Sequence, residues 1–322
     1  MIVERYQSDH AAIWDDFVRS SRNGTFQFER GYMDYHSERF SDHSLLIFDE
    51  GELISVLPAH AIGDRISSHG GLSFGGFIVA GGMKAATMLG VFDATLSLLQ
   101  TNGLSELTYK SIPHIYHRQS AEEDRYALFL LDAQVVRRDL LSVVPRADRL
   151  PYQQRRRRGA KKANDAGVDI REERDLDEFW GLLASHLAER FDTMPVHTLA
   201  EISLLKQRFP QNIRLFTARL GKLLAGVVIY ESSQVAHCQY IAANSEGQAT
   251  SALDVLFDRL LVGVYCDHPY FDFGSSHEDN RRAVVAGLID QKEGFGARAV
   301  VQETYRVDLA TFRPGILTGA MR

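Results

Sequence analysis

The chain has 322 residues, 45% hydrophobic and 24% charged, a length that favours two domains, each with a core of its own. A formal net charge of −6 argues against a dedicated nucleic-acid binder. No apolar run is long enough to cross a membrane, the first ten residues lack the apolar core of a secretory signal, and Cys238 and Cys266 suit neither a disulfide framework nor a zinc site; a cytoplasmic protein is expected.

In chain order, Ser44 to Phe48, a Glu50-Gly51 turn and Leu53 to Ala61 read as a hairpin. After a Gly-rich bend, Gly76 to Ala80 reads as a third strand. Met88, Val91, Phe92, Thr95, Leu96 and Leu99 recur at helical spacing over Lys84 to Thr101. Leu104 to Tyr109 and Tyr126 to Leu131 read as two further strands. Pro and charge replace the periodic pattern near Val144-Pro145 to Pro151, which sets domains of 1–145 and 146–322. Six of the eight residues from Arg155 to Lys162 are cationic, either a solvated helix start or a contact for a polyanion such as carrier phosphates or tRNA.

The second half repeats that order. A helix spans Leu199 to Phe209. Ile213 to Leu220, the Gly221-Lys222 turn, the very apolar Leu223 to Glu231, a turn at Ser232 to Gln234 and Val235 to Ala243 form an antiparallel meander. Leu253, Leu256, Phe257, Leu260, Leu261 and Val264 give helical spacing over Gln248 to Cys266. A short strand at Tyr270 to Phe273, a helix near Arg281 to Lys292 and a last strand at Ala299 to Val307 complete the series. The link Ala243 to Ser251, with Thr250 or Ser251 as N-cap, is a strand-to-helix connection that could also hold a pyrophosphate on backbone amides.

Side chains on the third strand of this half alternate. His237 and Gln239 therefore share one face, and Cys238 packs on the other with Ala236 and Tyr240 as a core thiol. His237 could act as a general base near neutrality or be a satisfied structural histidine, and Glu231, at the end of the preceding strand, could orient it, act instead or simply be exposed. Asp272, before Gly274, could hold a water or accept from an amine, or serve as ordinary turn chemistry. Glu303 and Tyr305 share a face of the last strand, where Tyr305 could protonate a departing thiolate or simply pack. Lys110 to Arg118 is the densest polar cluster, either a plain polar loop or a substrate loop with Lys110, His114, Tyr116 and His117 as candidate acceptor contacts, and no metal is expected there. His69, Ser73 and Phe74 lie in the Gly-rich stretch His69 to Gly76, which allows either close approach to a ligand or a bulged connection.

The segments GLSFGGF (Gly71 to Phe77), IPHIYH (Ile112 to His117), EEDRYALF (Glu122 to Phe129), PVHTLAEI (Pro195 to Ile202), LAGVVIYE (Leu224 to Glu231), AHCQYIA (Ala236 to Ala242), FDFGSS (Phe271 to Ser276) and QKEGFGAR (Gln291 to Arg298) together resemble the tandem-GNAT, Fem-like acyltransferases of bacterial surface-polysaccharide or peptidoglycan synthesis. The resemblance covers nearly the whole chain. It implies an α/β (α+β) fold of two GNAT-like halves, each a mostly antiparallel central sheet with flanking helices. It implies a donor site in the C-terminal half at Ile241, Ala242, Ala243, Ser245, Gly247, Gln248, Thr250 and Ser251. It also lifts His197 to a substrate-pocket candidate beside Gln239. Asn280-Arg281-Arg282-Ala283-Val284-Val285 departs from the Leu-Asn pair expected before Gly287-Leu288-Ile289. The long helical hairpin of Fem aminoacyl-transferases is missing. The resemblance therefore implies acetyl-CoA or another acyl-CoA as donor more readily than aminoacyl-tRNA, with tRNA not expected as a partner. The leading expectation is an N-acetyltransferase acting on an amino sugar or sugar nucleotide. A Fem-type aminoacyltransferase and a non-catalytic ligand-binding protein of the same fold are its rivals.

Overall fold

The computed structural model describes residues 1–277 and 283–320. By contacts the chain forms two units, residues 1–139 with 301–322, and residues 140–300. This differs from the sequence boundaries of 1–145 and 146–322 by giving the end of the chain to the first unit. No described helix is long and apolar enough to cross a membrane.

The first unit contains β1 (Ile2–Arg5), α1 (Ala11–Ser20), α2 (Arg30–Met33), β2 (Ser41–Asp42), β3 (Leu45–Asp49), β4 (Glu52–Leu57), β5 (His60–Ile62), β6 (Arg65–Ser67), β7 (Ile78–Val79), α3 (Ala85–Thr101), β8 (Glu106–Lys110) and α4 (Glu123–Leu130). One sheet runs in the order β1-β3-β4-β7, and β8, β6, β5 and β2 are consecutive neighbours in another. β8 pairs antiparallel with the last strand of the chain, Thr304 opposite Lys110 and Asp308 opposite Glu106, which is why residues 301–322 join this unit. The apolar stripe of α3 (Met88, Leu89, Val91, Phe92, Leu96, Leu99) packs on Leu107, Tyr109 and Phe77.

The strand expected over Tyr126 to Leu131 is instead the end of α4, with Leu131 as its C-cap. A continuous apolar run of six fits either period, and the acidic pair Glu123 and Asp124 in the first turn favours the helix. Ala127 and Leu128 are buried, whereas Tyr126 and Phe129 face solvent.

β9 (Gln134–Pro145), which the sequence reading did not anticipate, leads into the second unit. There follow α5 (Gln154–Asp165), β10 (Asp169–Glu173), α6 (Asp177–Phe191), α7 (Leu199–Arg208), β11 (Ile213–Leu220), β12 (Lys222–Glu231), β13 (Val235–Ala243), α8 (Ser245–Thr250), α9 (Ala252–Arg259), β14 (Tyr270–Ser275), α10 (Ala286–Glu293) and β15 (Arg298–Asp308). The sheet of this unit runs β10-β11-β12-β13-β14-β9. Leu223 to Tyr230 of β12 are buried throughout, as expected of a central strand. Ala160 and Ala163 of α5 and Val255, Leu256 and Phe257 of α9 pack with Ala225, Val227, Ile229, Ala236 and Cys238 on one face of the sheet.

The helix expected over Gln248 to Cys266 is broken. Ser251, at φ +61°, separates α8 from α9, and a wider π turn follows at Leu260–Val264. The N-cap is Asn244, whose side chain accepts from Gly247 N, not Thr250 or Ser251. Asn280, Arg281 and Arg282, where a departure from the family pattern was noted, lie outside the described residues.

Candidate functional site

β13 and β14 are parallel neighbours over three residue pairs, Val235–Tyr270, Ala236–Phe271 and His237–Asp272, where the ladder ends among the described residues. Each strand bulges just past that point. On β13, Val228 faces Tyr240 while Ile229 faces Cys238, so Gln239 is an extra residue. On β14, Asp272 faces Val143 while Ser275 faces Leu141, again one residue too many, and Gly274 takes φ +72°. Bulges bend a strand and sharpen its twist, so the two strands part beyond His237 and Asp272.

At the point of parting, His237 Nδ1 lies 2.8 Å from Asp272 Oδ2. The Asp272 side chain is wholly buried and that of His237 is 18% exposed. Gly274 N–H donates to Asp272 Oδ1 at 2.7 Å, so both carboxylate oxygens are engaged. A carboxylate accepting at Nδ1 fixes the tautomer that leaves Nε2 as the proton acceptor. A Cβ on Gly274 would lie 3.3 Å from His237 Cε1, so glycine serves both the left-handed turn and the close approach of the ring.

Lys292 of α10, which the sequence reading passed over within the QKEGFGAR segment, is buried beneath this turn. Its Nζ donates to Gly274 O at 3.0 Å and Ser275 O at 2.7 Å, holding the bulge of β14. Burial lowers its pKa to about 8 despite the nearby Asp272. Cys238 is also buried, and its thiol is pushed well above the usual range by desolvation. It is a packed thiol, as the sequence reading held.

The bulge corrects the expected pattern of faces. Cross-strand partners share a face, so Cys238 sides with Ile229, and Tyr240 sides with Val228. His237, opposite Tyr230, is therefore on the same face as Tyr240, whereas simple alternation had placed Tyr240 with Cys238. Tyr240 hydrogen-bonds through its hydroxyl to Nδ1 of the buried His197 and packs edge-on against Trp180 of α6, centroids 5.0 Å apart. The structure thus brings His197 and His237 onto one wall. Gln239, the bulged residue, has a buried Oε1 that meets no donor among the described residues.

Glu231 does not orient His237. It faces Ala236 across the ladder and therefore lies on the opposite side of the sheet, where Arg214 Nη1 binds it at 2.9 Å. The expected donor loop is self-contained. Asn244 occupies the amide of Gly247, and a Cβ on Gly247 would fall 2.2 Å from Leu224 O, so close packing on β12 explains this glycine. Glu246 in the first turn of α8 is ion-paired with Lys222. Ile241 is half-buried and Ala242 and Ala243 are buried on β13, while Ser245, Gln248, Thr250 and Ser251 lie in or just past α8.

The remaining candidates gather in the first unit as a packed loop. Lys110 Nζ donates to His69 O at 3.3 Å and Leu72 O at 3.0 Å, and burial lowers its pKa to about 8. Gln302 Nε2 donates to Ser73 O at 2.6 Å. Phe74 and Tyr116 are buried against each other, centroids 4.5 Å apart. His69 and His117 are held neutral by burial, with pKa values pushed down to about 3 and about 4. Ser73 and His114 are exposed. Tyr305 donates to Glu303, which Arg125 and Arg138 also bind; its proton is committed within that cluster. No group of three His, Cys, Asp or Glu side chains among the described residues could hold a metal ion.

Residues 152–282 match the family model for the acetyltransferase (GNAT) domain. No curated protein matches the chain by sequence. Among solved structures, FemX is similar over 94% of this chain and 97% of its own, with a TM-score of 0.67 at 10% identity. L-PGS from Bacillus licheniformis is similar over 98% and 96%, with a TM-score of 0.60 at 10% identity. A tandem GNAT protein from the clavulanic acid biosynthesis pathway is similar over 97% and 100%, with a TM-score of 0.52 at 9% identity.

Proposed function

Taking residues 152–282 as a GNAT domain within a tandem-GNAT, Fem-like fold, we propose that the chain is an acyltransferase whose His237–Asp272 pair serves attack of an amine on an activated acyl carbonyl. The observation that carries this reading is the 2.8 Å contact of His237 Nδ1 with the buried Asp272, set where two parallel strands part. The amine nitrogen bonds to the acyl carbon as the bond from that carbon to its carrier breaks. The amine proton passes to His237 Nε2 and then to the departing thiolate or alkoxide. Asp272 holds the ring and stabilises the imidazolium formed in between. Lys292 positions the β14 turn that carries Asp272 and Gly274.

The first donor reading is acyl-CoA, the usual partner of the GNAT fold. The acceptor is an amine, and the amino sugar expected from the family is one candidate of that class. A second donor reading, an aminoacyl ester on tRNA, is supported by two features. The first turn of α8 is occupied by its own Asn244 cap and carries Glu246, which is unfavourable to a pyrophosphate. On α5, Arg157 and Arg158 are exposed and make no ion pair among the described residues, leaving a cationic face for a polyanion. FemX and L-PGS as structural relatives agree with it.

Thermal stability with acetyl-CoA, with CoA and with bulk tRNA tests the reading. A ligand at a hundred times its dissociation constant adds about 2.7 kcal/mol. Stabilisation by acetyl-CoA supports the first donor and stabilisation by tRNA alone the second. No response to any of the three overturns both and leaves a non-catalytic binding protein.

A further inference from the structure

Three imidazoles of the first unit, His36, His60 and His69, lie buried against one another. The ring of His69 stands 5.2 Å from that of His36 and 5.6 Å from that of His60, and Phe40 packs on all three. They come from separate elements: His36 from the short turn Asp34–His36 after α2, His60 from β5, and His69 from the link that follows β6. The rings enclose the start of the Gly-rich segment His69 to Gly76. A Cβ on Gly70 would lie 2.7 Å from His60 Cε1, and one on Gly71 would lie 2.0 Å from His36 Nε2. Both glycines are therefore seats for imidazoles.

The segment is held by contacts that need neutral rings. Gly70 N–H donates to His60 Nδ1 at 2.9 Å, a bond that only an unprotonated nitrogen can accept. His69 takes a left-handed backbone, φ +46°, and its buried Nδ1 meets no hydrogen-bond partner among the described residues. Its carbonyl receives Lys110 Nζ at 3.3 Å, which also donates to Leu72 O at 3.0 Å. An ammonium thus already sits on the backbone of the segment.

The surroundings oppose a further cation. Burial, the largest influence, holds both His60 and His69 below the ordinary 6.5, and Lys110 adds to that at each. His36 and His60 act in the same sense on His69. Asp42, opposite His60 across β2 and β5, favours charge on His69, but Arg30 already binds it and shares itself with Asp34. The Ser67 backbone favours charge on His60 and is outweighed. Arg39 lies over Tyr35, which stacks on His36. A proton on His60 Nδ1 would break the bond to Gly70, and one on His69 would face Lys110 and two further imidazoles.

We propose that His69 to Gly76 is an acid-released latch, closed while His60 and His69 are neutral and driven open when they take up protons. Opening returns the imidazoles to water, where they bind protons readily, so acid favours the open state. Ser73 and Phe74 move with the segment, giving up the Gln302 bond to Ser73 O and the contact of Phe74 with Tyr116.

Hydrogen exchange of the full chain tests it, followed by mass spectrometry from about pH 7.5 to about pH 5 and corrected for intrinsic amide rates. The opening constant of peptides covering 69–76 should rise about thirtyfold for each histidine that opening frees. Peptides covering β11 and β12 should stay unchanged. His60→Asn puts an amide oxygen in place of Nδ1, and His69→Asn suits a left-handed backbone; neither titrates. Each should remove about thirtyfold from the rise while keeping the parent's exchange at the upper pH. A flat profile in the parent, a rise shared equally by β11 and β12, or variants that keep the full rise overturn the proposal. If circular dichroism shows that one variant fails to fold, the other variant and the parent profile decide.

Discussion

Each unit buries a carboxylate, Asp272 on β14 and Asp124 on α4, and the two are used differently. In the second unit Asp272 binds an imidazole that is still partly exposed, at a place where the ladder opens. In the first unit Asp124 is buried and accepts from Tyr109 Oη at 2.7 Å, while that hydroxyl accepts from Phe77 N at 2.9 Å. The second arrangement is closed: Asp124, Tyr109 and Phe77 are all buried and bonded to one another. Glu303 is likewise buried, but two of its partners, Arg125 and Arg138, are exposed, and Tyr305 completes the cluster. The two units thus hold one carboxylate bonded to a partly exposed imidazole and others that tie neighbouring elements together. What separates them is a pair of bulges, not the kind of residue.

The sharpest break of that contrast is at the open pair. His237→Ala should reduce kcat/KM for acyl transfer by about 10²–10⁴ with little change in melting temperature; a parallel loss of both would reduce His237 to a structural residue. Asp272→Asn should give a comparable kinetic loss through the wrong tautomer.

The next effect belongs to the closed pair. Burial raises Asp124 from 3.8 to about 6. Between those values the folded protein keeps a proton that the unfolded chain has released, so stability falls as pH rises through that window, by about 3 kcal/mol. His69 and His117, with lowered pKa values, act in the opposite sense but are common to parent and variant. Chemical denaturation across this range should therefore show the stability of Asp124→Asn rising relative to the parent as pH increases, and parallel profiles would refute the assignment.

Gly274→Ala should cost about 1–2 kcal/mol through its left-handed backbone and lower turnover as well, because the new methyl group presses on the His237 ring. A stability loss without a kinetic one would separate the turn from the site. The smallest effect is expected at Cys238. Replacement by Ala should leave turnover within about twofold, since a buried thiol of raised pKa is a poor nucleophile.

Much of the scaffold was legible because its signals are local. The meander from Ile213 to Ala243 has alternation, a Gly turn and a fully apolar central strand, and the start of α7 carries a Thr–Glu capping box. His237 and Asp272 were both singled out, but not as partners, since their contact depends on a parallel pairing across an intervening helix that no spacing encodes. The exchange of faces at Tyr240 was hidden for a related reason: a bulge adds one residue without a mark in the sequence, and every later side chain changes sides. Lys292 escaped because a lysine in a polar helix reads as solvated, and its burial comes from carbonyls released by a bulge on another element. Tyr126 to Leu131 failed on period, six apolar residues fitting strand and helix alike.

The pairing of β15 with β8 has a consequence for biosynthesis. Residues 140–300 form a continuous stretch and can complete their own sheet as soon as they have emerged. The first unit is made earlier, yet β8 waits for an antiparallel neighbour that ends at Asp308. Its closure spans some two hundred residues of chain, a contact of high sequence separation and slow formation. The part of the protein synthesised first is therefore the part finished last, and until then the edge of β8 is open to mispairing or to a chaperone.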